Sequence, residues 1–566
     1  MELSDARRLT GPNLQSDGPG ALTEVVFAAD ESAAAAIEAW RWAMAEIGEL
    51  LPFRIGPLAI RRYRGGAALL CAAPIDALYA ALVANEWAVA AATARLRGAR
   101  PPCREAALSE IRVAYAEEKA PLMRTLAAEA DARGLPFLWD DDFVSIGYGY
   151  RSRTWSRDAL PMPTAVPWDA LGPIPVLLIT GTNGKTTTAR LLSRMAHAAG
   201  LQVGNSSTDG LHLNGRLIDA GDWTGPGAAR TILRHPEVEV AVLETARGGI
   251  LRRGLGVTGC DGAVVTNIAA DHLGEYGIFD LDDMARAKSL VYQVVSPSGY
   301  RVVNVDDPHL RGQAKDTPER AILTSLHGLV SVADHVNRGG PAVYLTDGRL
   351  RRAWEGQTED VITVDEMPMA LGGAARHDIS NALCAVALAT AIDLPLSAIT
   401  KALSDFGRTW SDNPGRGQLT AVDDVQVLLD FGHNPHGAAA VLSMARQLAG
   451  EAGRVSVCLA QAGDRSDDDI RALATVTATA GPDKVYLRTL PEAYHRGRTP
   501  EDVTALLHAG LTASGLSEGS IDHATDEIDA LTKALQWAQS GDIIVHLVHL
   551  EREAVEGYLR QRGVAL

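Results

Sequence analysis

From residue 175 onward, short apolar runs alternate with stretches whose apolar residues follow the helical period. The run at 176–179 is followed by such a stretch at 189–199. The other runs with the length and composition of buried strands lie at 238–244, 262–267, 301–305, 425–430, 454–459, 484–487 and 542–547. This alternation predicts parallel sheets covered by helices, and therefore an α/β fold.

Two breaks rich in proline or glycine, 156–168 and 412–417, divide the chain. Before the first break, strand-like runs and alanine-rich helical stretches predict a small α+β domain, with elements at 25–28, 31–51, 67–72 and 75–97. We therefore expect three domains. They are an N-terminal α+β domain, a central parallel-sheet domain with a phosphate loop and a C-terminal Rossmann-like α/β domain, over 1–165, 170–408 and 409–566.

The composition is that of a folded protein with several cores, because 46% of the 566 residues are hydrophobic and 22% are charged. A net charge of −17 argues against a nucleic-acid partner. No apolar run is long enough to cross a membrane and the first residues lack an apolar signal core, so we expect a cytoplasmic protein without a membrane partner. The five scattered cysteines indicate neither a disulfide framework nor a zinc site. We also expect a homo-oligomer.

A phosphate-binding loop is predicted where the first apolar strand ends. The sequence there is Thr-Gly-Thr-Asn-Gly-Lys-Thr-Thr, and the candidate nucleotide-binding residues are Gly181, Thr182, Asn183, Gly184, Lys185, Thr186 and Thr187. Backbone N–H groups at the start of a helix bind phosphate oxygens, a lysine adds positive charge, and a threonine hydroxyl can bind Mg²⁺. The loop is compact, since Ile179 stands where longer versions have a first glycine. A glycine turn without a ligand is the alternative interpretation of the glycines alone.

Further candidate residues follow the next two strands. Glu244 ends one apolar strand, where a carboxylate can share a metal ion with Thr186. Asn267 and His272 follow the next strand, and Lys288 lies on a later helix. A neutral imidazole is a suitable ligand for a second metal ion, whereas a lysine ammonium is not. A solvated strand end for the glutamate and a capping or core role for the histidine are the alternatives.

In combination these motifs resemble the Mur ligase family. The phosphate loop, Glu244, Asn267 with Asp271-His272, and the later segment 430–435 occur in the order typical of that family. The resemblance implies that ATP and two Mg²⁺ ions bind between a central and a C-terminal domain, with Thr186, Glu244, His272 and Lys288 as metal ligands. In the family a lysine at the position of Lys288 is commonly carbamylated, which would convert a cation into an anionic oxygen ligand; the sequence does not show whether Lys288 is modified. Lys185, Glu244, His272 and Lys288 are then the catalytic candidates.

The resemblance also places three residues of the C-terminal domain at the nucleotide. Arg416 and Asp430 would contact ATP, and His433 would lie near its adenine and ribose. A glycine, histidine and asparagine motif is similar to 372–382, but Asp378 stands where the family usually has asparagine.

Within the family, the segments 207–210, 221–226, 243–252 and 463–465 resemble the cyanophycin synthetases, which add arginine to aspartate side chains of a polymer. The segments 8–13 and 144–150 are similar to the ends of their N-terminal domain. The linker 151–173 leaves no room for the ATP-grasp domain that those enzymes carry at this point. We therefore expect that this chain cannot build such a polymer alone.

The resemblance implies an ADP-forming, ATP-dependent ligase that joins an amino acid or another amine, arginine being one candidate, to a small-molecule or peptide carboxylate acceptor. Residues considered for the acceptor side, because arginine suits carboxylates, are Asp209, Trp223, Arg247, Arg252 and Arg253. Surface salt bridges for the arginines and a core position for the tryptophan are the alternatives. Other functions considered are a glutamate ligase like the folylpolyglutamate synthases, an inactive polymer-binding scaffold, and a plain ATPase.

Overall fold

The computed structural model describes residues 1–314 and 320–565 of the chain. Its N-terminal region combines an antiparallel sheet with four helices. The first sheet has the order β1-β2-β4-β3, and β5, β6 and β7 form a small meander. The strands are β1 (Glu2–Leu9), β2 (Gly20–Val26), β3 (Leu58–Tyr63), β4 (Gly66–Ala72), β5 (Phe137–Trp139), β6 (Phe143–Ile146) and β7 (Arg153–Ser156). The helices are α1 (Ala33–Gly48), α2 (Leu78–Leu96), α3 (Arg104–Glu118) and α4 (Pro121–Ala132).

A buried polar contact joins the first two helices to this sheet. Trp40 of α1 donates from Nε1 to Asn85 Oδ1 of α2 at 2.8 Å, and Asn85 Nδ2 donates to the carbonyls of Ala21 and Leu69 at 3.0 Å each. Every polar atom of the pair is thus satisfied inside an apolar core, which fixes how the helices lie on the sheet.

The central region is built on a sheet that has eleven strands among the described residues, in the order β11-β10-β9-β12-β8-β13-β14-β15-β16-β17-β18. Its strands are β8 (Val176–Thr180), β9 (Val203–Ser207), β10 (Gly210–Leu213), β11 (Arg216–Ala220), β12 (Val240–Glu244), β13 (Cys260–Val265), β14 (Val295–Asn304), β15 (Ala321–Ser325), β16 (Ala342–Thr346), β17 (Arg349–Trp354) and β18 (Gln357–Thr363). Its helices are α5 (Lys185–Ala198), α6 (Pro226–Arg234), α7 (Arg247–Arg253), α8 (Leu281–Lys288), α9 (Leu290–Gln293), α10 (Leu329–Asn337), α11 (Arg376–Ala391) and α12 (Leu396–Asp405).

The predicted parallel sheet is confirmed for the central region, and antiparallel strands extend it at both edges. The strands from β9 to β16 are parallel, but β10 and β11 at one edge and β17 and β18 at the other pair antiparallel. Two-residue turns connect these edge strands, and each has positive φ at both residues: Asn214-Gly215, Asp347-Gly348 and Glu355-Gly356. Turns this short reverse the chain and can join only antiparallel strands.

The C-terminal region has a sheet of the order β19-β20-β24-β21-β22-β23, in which only β19 is antiparallel to its neighbour. Its strands are β19 (Gln418–Val422), β20 (Val425–Asp430), β21 (Val455–Leu459), β22 (Lys484–Arg488), β23 (Ile521–Ala524) and β24 (Ile543–Leu547). Its helices are α13 (Pro435–Ala449), α14 (Asp467–Thr479), α15 (Pro500–Ala513), α16 (Glu527–Trp537) and α17 (Arg552–Gln561). The α/β class with a small N-terminal α+β region is confirmed.

The carboxyl ends of the parallel strands in the two large sheets line one cleft, which has a volume of about 1700 Å³. Strands β8, β12 and β13 supply one wall, and the segment after β20 supplies the other. Carboxyl ends of parallel strands are the usual place for a ligand in open α/β sheets. In the part of the chain that the structure describes, no helix is both long enough and apolar enough to cross a membrane.

Candidate active site

The turn between β8 and α5 requires its two glycines. Gly181 has φ +145° and Gly184 has φ +83°, conformations that L side chains rarely adopt. A Cβ at Gly181 would lie 1.9 Å from Thr266 Oγ1, and one at Gly184 would lie 2.0 Å from Asn381 Oδ1. The loop therefore passes too close to its neighbours for a side chain at these two positions. At the start of α5, the N–H groups of Lys185 and Thr186 have no partner within the helix and can face a ligand.

The residues that follow β13 hold this loop by hydrogen bonds to its backbone. Thr266 Oγ1 donates to the Asn183 carbonyl at 2.6 Å, and Asn267 both donates to that carbonyl and accepts from the Asn183 N–H, at 3.0 Å each. The Asn267 carbonyl accepts from Thr182 N at 2.9 Å. Asn267, predicted as a nucleotide contact, is therefore placed as a support of the loop, while it also lines the cleft.

Three oxygen-bearing side chains meet at the start of α5. Thr186 Oγ1 lies 2.9 Å from Glu244 Oε2 and 3.0 Å from Thr208 Oγ1. Glu244 is 2% exposed, and its Oε1 has no hydrogen-bond partner among the described residues. Burial raises the pKa of this carboxyl, while the charges of Lys185 and Arg416 oppose the rise. An unpartnered buried carboxylate oxygen beside two hydroxyls fits a hard divalent cation.

Other donors would have to complete such a coordination shell. Within the described ranges, no group of three or more His, Cys, Asp or Glu side chains is arranged to hold a metal ion. The residues at Thr186 thus fit a cation that takes few protein ligands and several from substrate or water, as Mg²⁺ does.

Lys185 and Lys288 both donate to backbone carbonyls of the phosphate loop. Lys185 Nζ donates to the Thr182 carbonyl at 3.0 Å, and Lys288 Nζ donates to the Gly181 carbonyl at 2.8 Å. Lys288 is 5% exposed, and burial together with the charge of Lys185 lowers its pKa well below the usual value for lysine. A lysine in this environment favours the neutral amine, the form that can react with carbon dioxide.

His272 faces a guanidinium. Arg465 of the C-terminal region donates from Nη1 to His272 Nδ1 at 2.6 Å, and its Nη2 lies 3.5 Å from Asp271 Oδ1. Because arginine can only donate, Nδ1 is the accepting nitrogen of the ring. Burial lowers the pKa of His272, and the charge of Arg465 lowers it further. The sequence predicts a second metal ion at His272. In the structure, the positively charged side chain of Arg465, from the opposite wall of the cleft, lies against this histidine.

Asp271 joins the two walls of the cleft. His433 Nε2, on the segment after β20, lies 3.6 Å from Asp271 Oδ2. Burial acts to raise the pKa of Asp271, but the proximity of His433 and the charge of Arg465 outweigh it and hold the pKa below its ordinary value. His433, expected near adenine and ribose, is therefore placed beside the end of β13.

Asp430 and Arg416 order the rest of the C-terminal wall. Asp430 accepts from the N–H groups of Gly417 and Gly432 at 2.8 Å each, so it connects the segment before β19 to the segment after β20. Arg416 donates to Thr208 Oγ1 at 3.4 Å, and its guanidinium lies 5.1 Å from the Phe431 ring centre. Both predicted residues therefore line the cleft.

An amide pair connects the phosphate loop directly to α13. Asn183 Nδ2 donates to Asn434 Oδ1 at 3.2 Å, and Asn434 Nδ2 donates back to Asn183 Oδ1 at 2.9 Å. Asn434 Oδ1 also accepts from Gly437 N at 2.9 Å and so caps α13. One side chain thus begins a helix in the C-terminal region and holds that helix against the loop.

The residues considered for the acceptor side separate into two groups. Asp209 is paired with Arg190 at 2.8 Å, and Arg247 donates to the His272 carbonyl at 2.7 Å. These two residues and Arg252 line the cleft. Trp223 and Arg253 are not among the residues that line it. Trp223 packs against the apolar core, and the Arg253 carbonyl accepts from Thr10 N of the N-terminal region at 2.8 Å.

Sequence reasoning missed Thr208, Asn434 and Arg465 as site residues. Each of these residues lies in a segment that resembles a family motif, namely 207–210, 430–435 or 463–465. Membership in these segments was the signal by which they could have been found. The N-terminal residues Ser4, Asp5 and Glu24 also line the cleft, and no local motif marks them.

Comparison with known proteins agrees with this geometry. Residues 179–389 match the family described as Mur ligase middle domain, and residues 415–547 match the one described as Mur ligase, glutamate ligase domain. The chain is 35% identical to cyanophycin synthetase of Synechocystis over 424 residues, which is 73% of this chain and 47% of that protein. It thus spans about half the length of the cyanophycin synthetases that it matches.

One further relative and one solved structure are similar to the chain. UDP-N-acetylmuramate–L-alanine ligase of Xanthomonas campestris is 28% identical over 382 residues, which is 65% of this chain and 70% of that protein. Among solved structures, E. coli FolC in complex with DHPP and ADP has a TM-score of 0.52 at 20% identity, covering 69% of this chain and 89% of that one, and shows the shared fold. With both domain types present in order and joined by one cleft, the chain belongs to the Mur ligase family.

Proposed function

We propose that this protein is an ATP-dependent, ADP-forming ligase that joins a carboxylate to an amino acid or another amine through an amide bond. The observation that carries this proposal is the single cleft between the phosphate loop and the segment after β20. A plain ATPase would need only the first wall. Here Asn434, His433 and Arg465 bring the second wall into contact with the loop and with the end of β13.

The reaction has two steps. A carboxylate oxygen of the acceptor attacks the γ-phosphorus of ATP, and the bond from that phosphorus to the β,γ-bridging oxygen breaks. ADP is released, and the acceptor becomes an acyl-phosphate. The amine nitrogen of the donor then attacks the carbonyl carbon, the carbon–oxygen bond to phosphate breaks, and the amine loses a proton. Closure of the two walls excludes water, which would otherwise hydrolyse the acyl-phosphate.

The loop residues have separate roles in this proposal. The N–H groups at the start of α5, those of Lys185 and Thr186, and the ammonium of Lys185 bind the β- and γ-phosphates and stabilise charge on the transferred group. Thr186, Thr208 and Glu244 would hold a divalent cation, proposed to be Mg²⁺, which supplies charge neutralisation at the phosphates when it is bound. Lys288, as a carbamate, and His272 are the proposed ligands of a second ion.

A smaller pocket next to the cleft fits the amine donor. It has a volume of about 480 Å³ and is bordered by side chains of both signs, namely Asp209, Arg416, Glu551, Arg552 and Glu553. An amino acid carries an ammonium and a carboxylate, and such a lining can pair with both. Arginine as donor and an aspartate-containing acceptor are the finer proposal, suggested by similarity to cyanophycin synthetase.

A substrate panel tests the proposal. Purified protein with Mg²⁺-ATP is given amino acids, including arginine and glutamate, each with and without aspartate-containing peptides or other carboxylates, and phosphate release and product mass are measured. Release that needs both an amine and an acceptor is expected. Release that needs neither would show a plain ATPase, and no release under any condition would favour a scaffold.

Two lysine variants provide the matched comparison. Lys185→Ala is expected to abolish product formation, because it removes the charge beside the transferred phosphoryl group. Lys401→Ala removes an exposed lysine of α12 that does not line the cleft, and should leave the rate unchanged. Full activity in the Lys185 variant would refute the assigned role.

A further inference from the structure

The N-terminal region contacts the loop that carries His272. This loop, residues 271–279, follows β13 and leads into α8, the helix that ends at Lys288. Arg61 of β3 donates from Nη1 to the Gly277 carbonyl at 2.9 Å and from Nη2 to the Tyr276 carbonyl at 2.7 Å. One guanidinium therefore binds two consecutive carbonyls, a pairing that a smaller side chain on β3 would not make.

A tyrosine on the same strand lies directly against this loop. A Cβ at Gly277 would lie 2.4 Å from the Tyr63 ring, so the ring packs on bare backbone. The Tyr63 ring centre also lies 5.9 Å from that of Phe279. The guanidinium of Arg7 on β1 lies 4.9 Å from the Tyr276 ring centre. Three side chains of the N-terminal sheet thus hold one short segment of the central region.

The loop needs such support because its backbone is strained. His272 and Tyr276 have φ +53° and +52°, and Gly274 and Gly277 have φ +93° and +68°. Non-glycine residues in the left-handed region persist only where surrounding contacts enforce it. The internal hydrogen bonds are few: Gly274 N donates to the Ile278 carbonyl at 2.7 Å, and Ile278 N donates to the Glu275 carbonyl at 3.1 Å.

Arg247 extends the support to the imidazole. Its Nη1 donates to the His272 carbonyl at 2.7 Å, and its Nη2 pairs with Glu275 Oε2 at 2.5 Å. Arg247 begins α7, and the end of α7 is itself held by the N-terminal region, where Arg7 Nε donates to the Leu251 carbonyl at 3.0 Å. Both supports of His272 therefore connect to the same sheet.

We propose that Arg61 and Tyr63 are positioning residues of the active site, and that the N-terminal region serves to hold the loop 271–279 so that His272 faces the cleft. This inference rests on the proposed function for its effect on turnover. Its structural part, the holding of the loop, is independent of any activity.

The test compares Arg61→Ala with Arg62→Ala. Arg62 is the exposed neighbour on β3, and its side chain has no hydrogen bond or ion pair to any described residue, which makes it a matched control. Hydrogen exchange of the segment 272–279 in the ligand-free protein should rise at least about tenfold in Arg61→Ala, because two charge-assisted hydrogen bonds are lost. Arg62→Ala should match the wild type, and Arg61→Lys should recover part of the protection.

A second readout addresses the site. The Mg²⁺ concentration that gives half-maximal phosphate release should rise by about 10- to 100-fold in Arg61→Ala, as for other residues that orient metal ligands. The KM for ATP should change less than this, because the phosphate loop is untouched. If Arg61→Ala does not fold, Tyr63→Leu removes the ring from Gly277 and receives the same two measurements.

The outcomes are distinct. Unchanged exchange in both a folded Arg61 variant and Tyr63→Leu would overturn the proposal. Faster exchange without a change in Mg²⁺ dependence would overturn its link to the active site. A wild type without turnover under any substrate condition would refute the proposed function, and exchange alone would then decide whether the N-terminal region holds the loop.

Discussion

Replacement of Gly184 by alanine tests whether close approach, in addition to backbone conformation, makes this glycine necessary. An alanine at φ +83° is strained by roughly 1–2 kcal/mol. Its Cβ would also lie 2.0 Å from Asn381 Oδ1, so the asparagine has to move. That movement breaks its 3.2 Å hydrogen bond to Asp378 Oδ1, leaving buried polar groups unpaired at a cost of about 1–3 kcal/mol. The expected loss of unfolding free energy is therefore about 2–5 kcal/mol.

The chain contains a matched control at the other end of the same helix. Gly200 follows α5, has φ +89°, and would place a Cβ within 4 Å of no atom that the structure describes. Gly200→Ala should cost only the conformational part, roughly 1–2 kcal/mol. In an Asn381→Ala background, Gly184→Ala should fall to the same value, because the clash is gone.

The assay is urea-dependent hydrogen exchange of the amides in β8 and α5, which reports on the central region separately from the rest of the chain. Calorimetric titration with ATP complements it: Gly184→Ala should bind ATP weakly, and Gly200→Ala should bind it as the wild type does. Equal destabilisation by the two alanines, or an unchanged cost in the Asn381→Ala background, would refute the steric reasoning.

Three further predictions concern the cleft. Glu244→Gln should abolish metal-dependent phosphate release without lowering the ligand-free thermal midpoint. Burial raises the pKa of Glu244 above its usual 4.5, so the unfolded chain loses this proton before the folded chain does as pH rises. Calorimetry should therefore show that wild-type stability falls as pH rises from 4.5 to the raised pKa, and that the fall is smaller in the variant. Lys288→Ala should remove a carbamate resonance that the wild type shows in carbon-13 NMR with labelled bicarbonate, and an identical spectrum would contradict carbamylation. Asn434→Ser keeps a good helix cap but loses the amide pair with Asn183. X-ray scattering should therefore give a larger radius of gyration, and the KM for ATP should rise. Unchanged scattering would count against this contact as a link between the two walls.

The sequence by itself determined the phosphate loop and the strands β8, β12, β13, β14, β20, β21, β22 and β24, whereas β9, β15, β16, β19 and β23 were not predicted. Buried parallel strands are continuous apolar runs, and the glycines at 181 and 184 stand where the loop can take no side chain, so both signals are local. The antiparallel edges do not follow from the α/β alternation, although the turns Asn214-Gly215 and Asp347-Gly348 are local hairpin signals.

Only the tertiary structure decided which residues meet across the cleft. Arg465 lies 193 positions from His272, and Arg61 lies 215 positions from Tyr276. Such contacts depend on how separate sheets pack and leave no periodicity in the chain, whereas a strand or a turn is encoded by neighbouring residues. The motifs could therefore be found from the sequence, but the contact between Asp271 and His433, and the contacts of the N-terminal sheet with the His272 loop, required the packing of the regions against one another.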